Sequence, residues 1–373
     1  MWRVRIAAAG AVVSLASCQG SGGRADAAQA LDLPRRALYA AFDDGSIHVY
    51  DIEAGHRETA SFPTVAGVSD VRGLCASAST GALYIAHQRP EAGYVVAADM
   101  RTGRVLWNRA FQPNVDRLSC RHDGRELFVP SNESFEDDSL IVVDAATGDE
   151  LTRIHASPRP HDCLDGPSGS RVYLETKSSS LVDVIDVASH AVTRQIGPFQ
   201  DIVGPYTIDS RETVLYANVF GVNGFQVADA ADGGAILATA DIPGESAVQG
   251  QLDQHGIALK PDETEVWVND GVGGVAAVHV FDVTRLPPTY KLDVPLDAQS
   301  HWVTFSIAGD YAYASGPKGG GVDTAVIDTS TYRRVGTIGP SEDLLEVDFG
   351  PDGSLAVVGD QFGVGRRWPP ASP

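Results

Sequence analysis

The chain is poor in the residues that most often announce a chemistry. It has 4 Cys in 373 residues, none in Cys-x-x-Cys or Cys-x-x-Cys-His, which excludes a thioredoxin-type dithiol and covalently attached c-type haem. Lysine is scarce, 4 against 24 Arg, and acids outnumber bases 49 to 28, for a formal charge of -21. Such a body repels phosphate backbones and anionic headgroups, so no nucleic acid is expected as a partner. With 2 Met and 12 Phe, the 43% hydrophobic content reads as a small-residue, β-branched core. There is no Gly-x-Ser-x-Gly, no His-Glu-x-x-His and no Ser-x-x-Lys in a supporting context. The segment Gly316-Pro317-Lys318-Gly319-Gly320-Gly321 lacks the Gly-Lys-Ser/Thr that leads into a helix in nucleotide-binding loops. It reads as a hairpin connection, and no nucleotide is expected.

The first residues differ from the rest. Arg3 and Arg5 precede an apolar and small-residue stretch from Ile6 to Ser17, too short for a bilayer, where roughly 20 apolar residues are needed. It closes as Leu15-Ala16-Ser17-Cys18, which resembles the lipobox of bacterial lipoproteins. The resemblance implies cleavage before Cys18, lipidation of its thiol and a membrane partner through that lipid. Gln19, unlike the Asp that favours inner-membrane retention, implies an outer-membrane lipoprotein of the cell envelope, facing the periplasm or outward. The expected organisation is a signal over residues 1–17, a tether over 18–34, a folded body over 35–367 and a Pro-rich tail over 368–373. With Cys18 lipidated, Cys75, Cys120 and Cys163 remain; an odd number in an oxidising compartment leaves at least one free unless the chain pairs with another, and spacing does not say which.

Self-comparison makes the body legible. A short apolar run ending in Asp, then a polar turn, recurs seven times, at Asp51, Asp99, Asp144, Asp186, Asp229, Asp282 and Asp328, separated by 48, 45, 42, 43, 53 and 46 positions. In Asp99-Met100-Arg101-Thr102-Gly103 and Asp144-Ala145-Ala146-Thr147-Gly148 the carboxylate can accept backbone N–H bonds while Gly supplies positive φ, a structural role. Two further strands precede each Asp, with no helical periodicity between copies. The fold class is therefore all-β, a seven-bladed β-propeller of four-stranded antiparallel blades. The first copy lacks an inner strand and the last segment, Leu345 to Asp360, supplies an inner strand and its neighbour, so the C-terminus should close the ring on the N-terminal blade.

The clearest copy, His255-Gly256-Ile257-Ala258 through Pro261-Asp262-Glu263 to Trp267-Val268-Asn269-Asp270, resembles the YVTN-type repeat of the quinoprotein amine dehydrogenase-like superfamily. That resemblance implies the fold and leaves function open, because the superfamily holds quinoprotein-like, lactonase-like and purely binding members. Ala97-x-Asp99-x-x-x-Gly103-x-x-x-Trp107 resembles the tryptophan-docking motif of pyrroloquinoline-quinone dehydrogenases; a single copy implies only packing between blades.

Aligned on the apolar position of the second strand, Leu127, Val172, Val266 or Ala312, the residues eleven upstream are Asp116, His161, His255 and His301. Inner strands line the channel, so these side chains are candidates for a ligand or divalent-metal site at its mouth. His48, His56, His87, His122, His155, His190 and His279 fall in loops or outer strands and read as surface or packing. Glu133-Ser134-Phe135-Glu136-Asp137-Asp138 lacks the spacing and central Gly of a calcium loop and reads as a solvated acidic loop. The expected function is a monomeric binding module of the envelope, for a small molecule or a protein, rather than an enzyme. The competing reading is a channel-site enzyme, metal-dependent lactonase-like, lyase-like or redox, built on His161, His255 and His301.

Overall fold

The structure is a computed structural model that describes residues 30–65, 70–121, 123–244, 254–270 and 275–363. Cys18, most of the tether, His122 and the Pro-rich tail lie outside the described residues. Seven antiparallel sheets stand around one axis as seven blades. From blade two to blade seven the inner strands are Val71–Ser77, Ser119–Cys120, Pro160–Asp165, Val203–Ile208, Gln254–Leu259 and Trp302–Phe305, each followed outward by the next three strands in sequence.

Burial follows position in the blade. Second and third strands such as Arg171–Thr176 and Val278's strand Ala277–Asp282 are buried almost throughout, because both faces pack on neighbouring blades. Outermost strands such as Ala191–Ile196 alternate exposed and half-buried residues. The core is accordingly a set of layers between sheets: Phe128, Leu140 and Val142 of blade three pack on Val172, Leu174 and Ile185 of blade four. All seven repeat Asp residues end a third strand. Asp99 Oδ1 accepts from Arg101 N and Thr102 N at 3.0 and 2.9 Å, and Asp144 Oδ1 from Ala146 N and Thr147 N, both at 2.9 Å. Trp107 lies across Gly148 of the next blade, where a Cβ would meet the indole at 2.6 Å, and its Nε1 donates to Ala145 O at 3.1 Å.

Closure departs from the expected pattern in one respect. Asp343–Phe349 is the inner strand of blade one and pairs with Arg36–Ala41, with Tyr39 opposite Leu345. The strand after it, Leu355–Val358, does not become a second strand of the blade; it pairs with the free, axial edge of Asp343–Phe349, making a five-stranded sheet. Arg36–Ala41 already occupies the outward edge, so the channel is the only side left for the last strand to hydrogen-bond.

Candidate functional site

In four blades the ladder is broken at the entry of the inner strand. Register shifts fall between Val71 and Gly73, Pro160 and Cys163, Val203 and Tyr206, and Gln254 and Ile257. A bulge takes a residue out of the pairing and re-aims its side chain. The re-aimed residues include Arg72, His161, Asp162 and His255. At Gly256 the next blade comes so close that a Cβ would meet Trp302 Cα at 2.6 Å, and this approach lets the His255 ring stack on that of His301, centroids 3.5 Å apart.

The mouth is filled by charge. Arg117 of blade three is 3% exposed; its guanidinium pairs with Asp343 at 2.7 Å and Glu342 at 2.6 Å in blade one and Asp162 at 3.3 Å in blade four, and lies 4.3 Å from the ring of Trp302 in blade seven. One cation thus ties together blades that are not neighbours, which only a side chain reaching across the axis can do. Arg72 pairs with Asp116 at 2.8 Å and Glu133 at 3.5 Å. Lys177 pairs with Glu175 at 3.2 Å, and Lys318, delivered by the glycine-rich hairpin, with Asp343 at 3.1 Å.

The three histidines of the shared register separate into two places. His161, 4% exposed, holds Nδ1 3.1 Å from Glu175 and 3.4 Å from Asp162, with Nε2 3.7 Å from Glu133. Burial opposes its charged form, but Asp162, and then Asp116 and Glu175, hold its pKa up at about 10. Burial likewise opposes ionisation of Asp162, and His161 outweighs it, keeping that carboxyl well below the usual range. His255 and His301 form the second place. His255 Nδ1 lies 3.2 Å from the carbonyl of His301, and His301 Nδ1 lies 2.9 Å from Glu342. Burial, then the neighbouring His301, hold the His255 pKa well below its ordinary value. A neutral ring whose Nδ1–H donates to a carbonyl presents a lone pair at Nε2. Among the described residues no trio of metal-ligand donors that includes His255 or His301 lies within 4.8 Å, whereas Asp116, Glu133 and His161 do, as do His161, Asp162 and Glu175. The geometry therefore does not gather the three imidazoles around one ion.

The other end of the channel is closed by the chain itself. Gln361 Oε1 accepts from Leu74 N at 2.7 Å, its carbonyl accepts from Trp302 Nε1 and Thr304 Oγ1 at 2.7 and 2.9 Å, and Gly363 O accepts from Thr207 Oγ1 and Leu259 N at 2.7 and 2.8 Å. Phe362 is buried among residues of blades four and five. Between this segment and the inner strands lies a cavity of about 110 Å³ lined by Leu74, Leu118, Leu164 and the Cys75–Cys120 disulfide. Among the described residues Cys163 is the free thiol, fully buried, with burial pushing its pKa upward.

Sequence reasoning found Asp116, His161, His255 and His301 but not their partners. Glu342 and Asp343 were invisible to the register count because the inner strand of blade one is separated from its own second strand by the length of the protein. Glu133 belongs to the loop read as solvated; it turns inward, while Asp138 stays outside and pairs with His155 at 2.8 Å. Of the histidines assigned to surface or packing, His87 and His279 are buried and His155 is exposed.

No protein-family model matches the chain, and no curated protein matches it. Solved structures do. A dihydro-heme d1 dehydrogenase NirN, solved in complex with DHE, is 14% identical with a TM-score of 0.60, over 88% of this chain and 74% of that one. The Myceliophteria thermophila Cps50 (Swd1) β-propeller domain is 12% identical with a TM-score of 0.60, over 81% and 99%. Kuenenia stuttgartiensis hydrazine synthase is 20% identical with a TM-score of 0.54, over 70% and 77%. At these identities the likeness shows the fold, a seven-bladed β-propeller.

Proposed function

We propose that the protein is a lipid-anchored, extracytoplasmic binding module that takes a small hydrogen-bond-donating ligand, an amine or a polyol, at the mouth of its channel. The observation that carries this reading is the His255–His301 stack. Each ring is held through Nδ1 by a protein acceptor, neither Nε2 hydrogen-bonds a described residue, and both rings keep some solvent exposure above a buried ionic floor. The His255 ring, kept neutral by burial and held in that tautomer, accepts rather than donates at Nε2, and the surplus of acids favours a ligand that brings positive charge or hydroxyls. The ionic floor closes the channel below the stack, so the ligand rests on the mouth and does not pass through.

The lipid anchor is supported by Leu15-Ala16-Ser17-Cys18 behind its short apolar run, and the compartment by the Cys75–Cys120 bond. Calorimetric titration with panels of amines, polyols and carboxylates tests the binding reading. A donor-bearing ligand should bind wild type, and His255→Ala and His301→Ala should each weaken it by at least tenfold without changing the fold. Binding confined to carboxylates, or unaffected by both substitutions, would overturn it.

A further inference from the structure

The other histidine at the mouth, His161, stands among acids rather than in the imidazole stack. We propose that Asp116, Glu133 and His161 bind a divalent first-row metal ion, zinc or manganese, with at least one coordination position open to the mouth.

The donor atoms of these three side chains all lie within 4.8 Å of one another, and they come from two blades and a loop. What separates them from an ordinary acidic cluster is the Nε2 of His161. The side chain is 4% exposed, and Nδ1 is engaged by Glu175, whose Oε2 is itself held by the backbone N of Asp162 at 3.2 Å. Nε2 points at Glu133 Oε2 from 3.7 Å, too far for a hydrogen bond. Two donors that each sit about 2.1 Å from a common ion are separated by roughly 3–4 Å, so this gap is the spacing of two ligands of one metal. A carboxylate behind the far nitrogen is the arrangement that orients a metal-bound imidazole and fixes its tautomer.

Arg72 does not fill the site. It uses Asp116 Oδ1 and Glu133 Oε1, leaving Asp116 Oδ2, which has only a long contact of 3.4 Å from Glu133 N, and Glu133 Oε2. Two carboxylates and one imidazole suit zinc or manganese and disfavour soft cuprous copper.

The test uses the full chain purified without chelators, then stripped and titrated separately with zinc and manganese, reading stoichiometry by elemental analysis and affinity by calorimetry. One ion per chain is expected, with Glu133→Gln and Asp116→Asn each weakening binding at least tenfold and His255→Ala leaving it unchanged. Glu133 is part-exposed on a loop, so its variant should keep the wild-type circular dichroism even where His161→Gln does not. Less than one tenth of an ion per chain with no calorimetric binding, or affinity unchanged in Glu133→Gln, or lost in His255→Ala, would overturn the assignment.

Discussion

Arg117 and Asp343 meet at 2.7 Å with side chains 3% and 1% exposed, and this pair joins blade three to blade one across the channel. Because Glu342 and Asp162 share the same guanidinium, it links four charges drawn from three blades. Arg117→Met should leave three buried carboxylates short of a partner and cost about 3–5 kcal/mol, read from denaturant midpoints. Arg117→Lys should recover little, since an ammonium cannot span these carboxylates in two directions and lie over Trp302. A midpoint unchanged in Arg117→Met would show that the pairs contribute nothing net.

The closing strands are expected to matter unequally. Deletion from Leu345 onward removes most of the inner strand of blade one and should abolish cooperative folding, because Arg36–Ala41 is left with an open edge. Truncation after Gly359 removes Gln361 and Phe362 but keeps both strands; it should preserve the fold, lower the melting temperature and admit a small hydrophobic dye to the channel. Equal effects from the two deletions would contradict this division.

The Cys75–Cys120 bond staples the inner strands of blades two and three across 45 residues. Replacing both cysteines with Ser should cost about 2–4 kcal/mol by chain-entropy estimates. Cys163 should resist a thiol reagent in the native protein and react only on unfolding; rapid labelling of native protein would refute its burial.

Two histidines should titrate on opposite sides of neutrality, measured by NMR in the presence of chelator. His161, facing Asp162, Glu175, Asp116 and Glu133 with Lys177 opposing, has its pKa raised from 6.5 to about 10. Its contribution to stability is fully present below pH 6.5 and is lost as the pH rises through about 10. His87 has its pKa lowered from 6.5 to about 4 by burial and then by Arg89. Its contribution is present above pH 6.5 and is lost as the pH falls through about 4. At pH 8 the His161 imidazole should still be cationic, and His161→Gln should remove its signal. If every ring titrates near 6.5, the ionic description of the mouth fails.

For the anchor, Cys18→Ser should release the protein from membranes and block processing. An unmodified Cys18 in mass spectra of soluble wild-type protein would end the lipoprotein reading.

Half of the site was legible in the repeat, because an internal period equates positions across blades. That is how Asp116, His161, His255 and His301 were found together. The same period could not say that Gly256 brings His255 onto His301 while His161 turns to a separate set of acids. Side-chain direction at His161 and His255 is set by the bulges at strand entry, and a bulge has no fixed residue signature.

The sequence by itself determined the blade count, the seven Asp turns and the need for the two chain ends to meet, since each rests on local hydrogen bonding and on a strand's intolerance of an open edge. Only the tertiary structure decided what fills the channel. Arg117, the adjacent Glu342 and Asp343, Glu175 and the segment around Phe362 come from separate stretches of the chain, and no local rule relates them. They are brought together by ring closure, which places charges from different blades in one small, poorly solvated volume where each must find a partner.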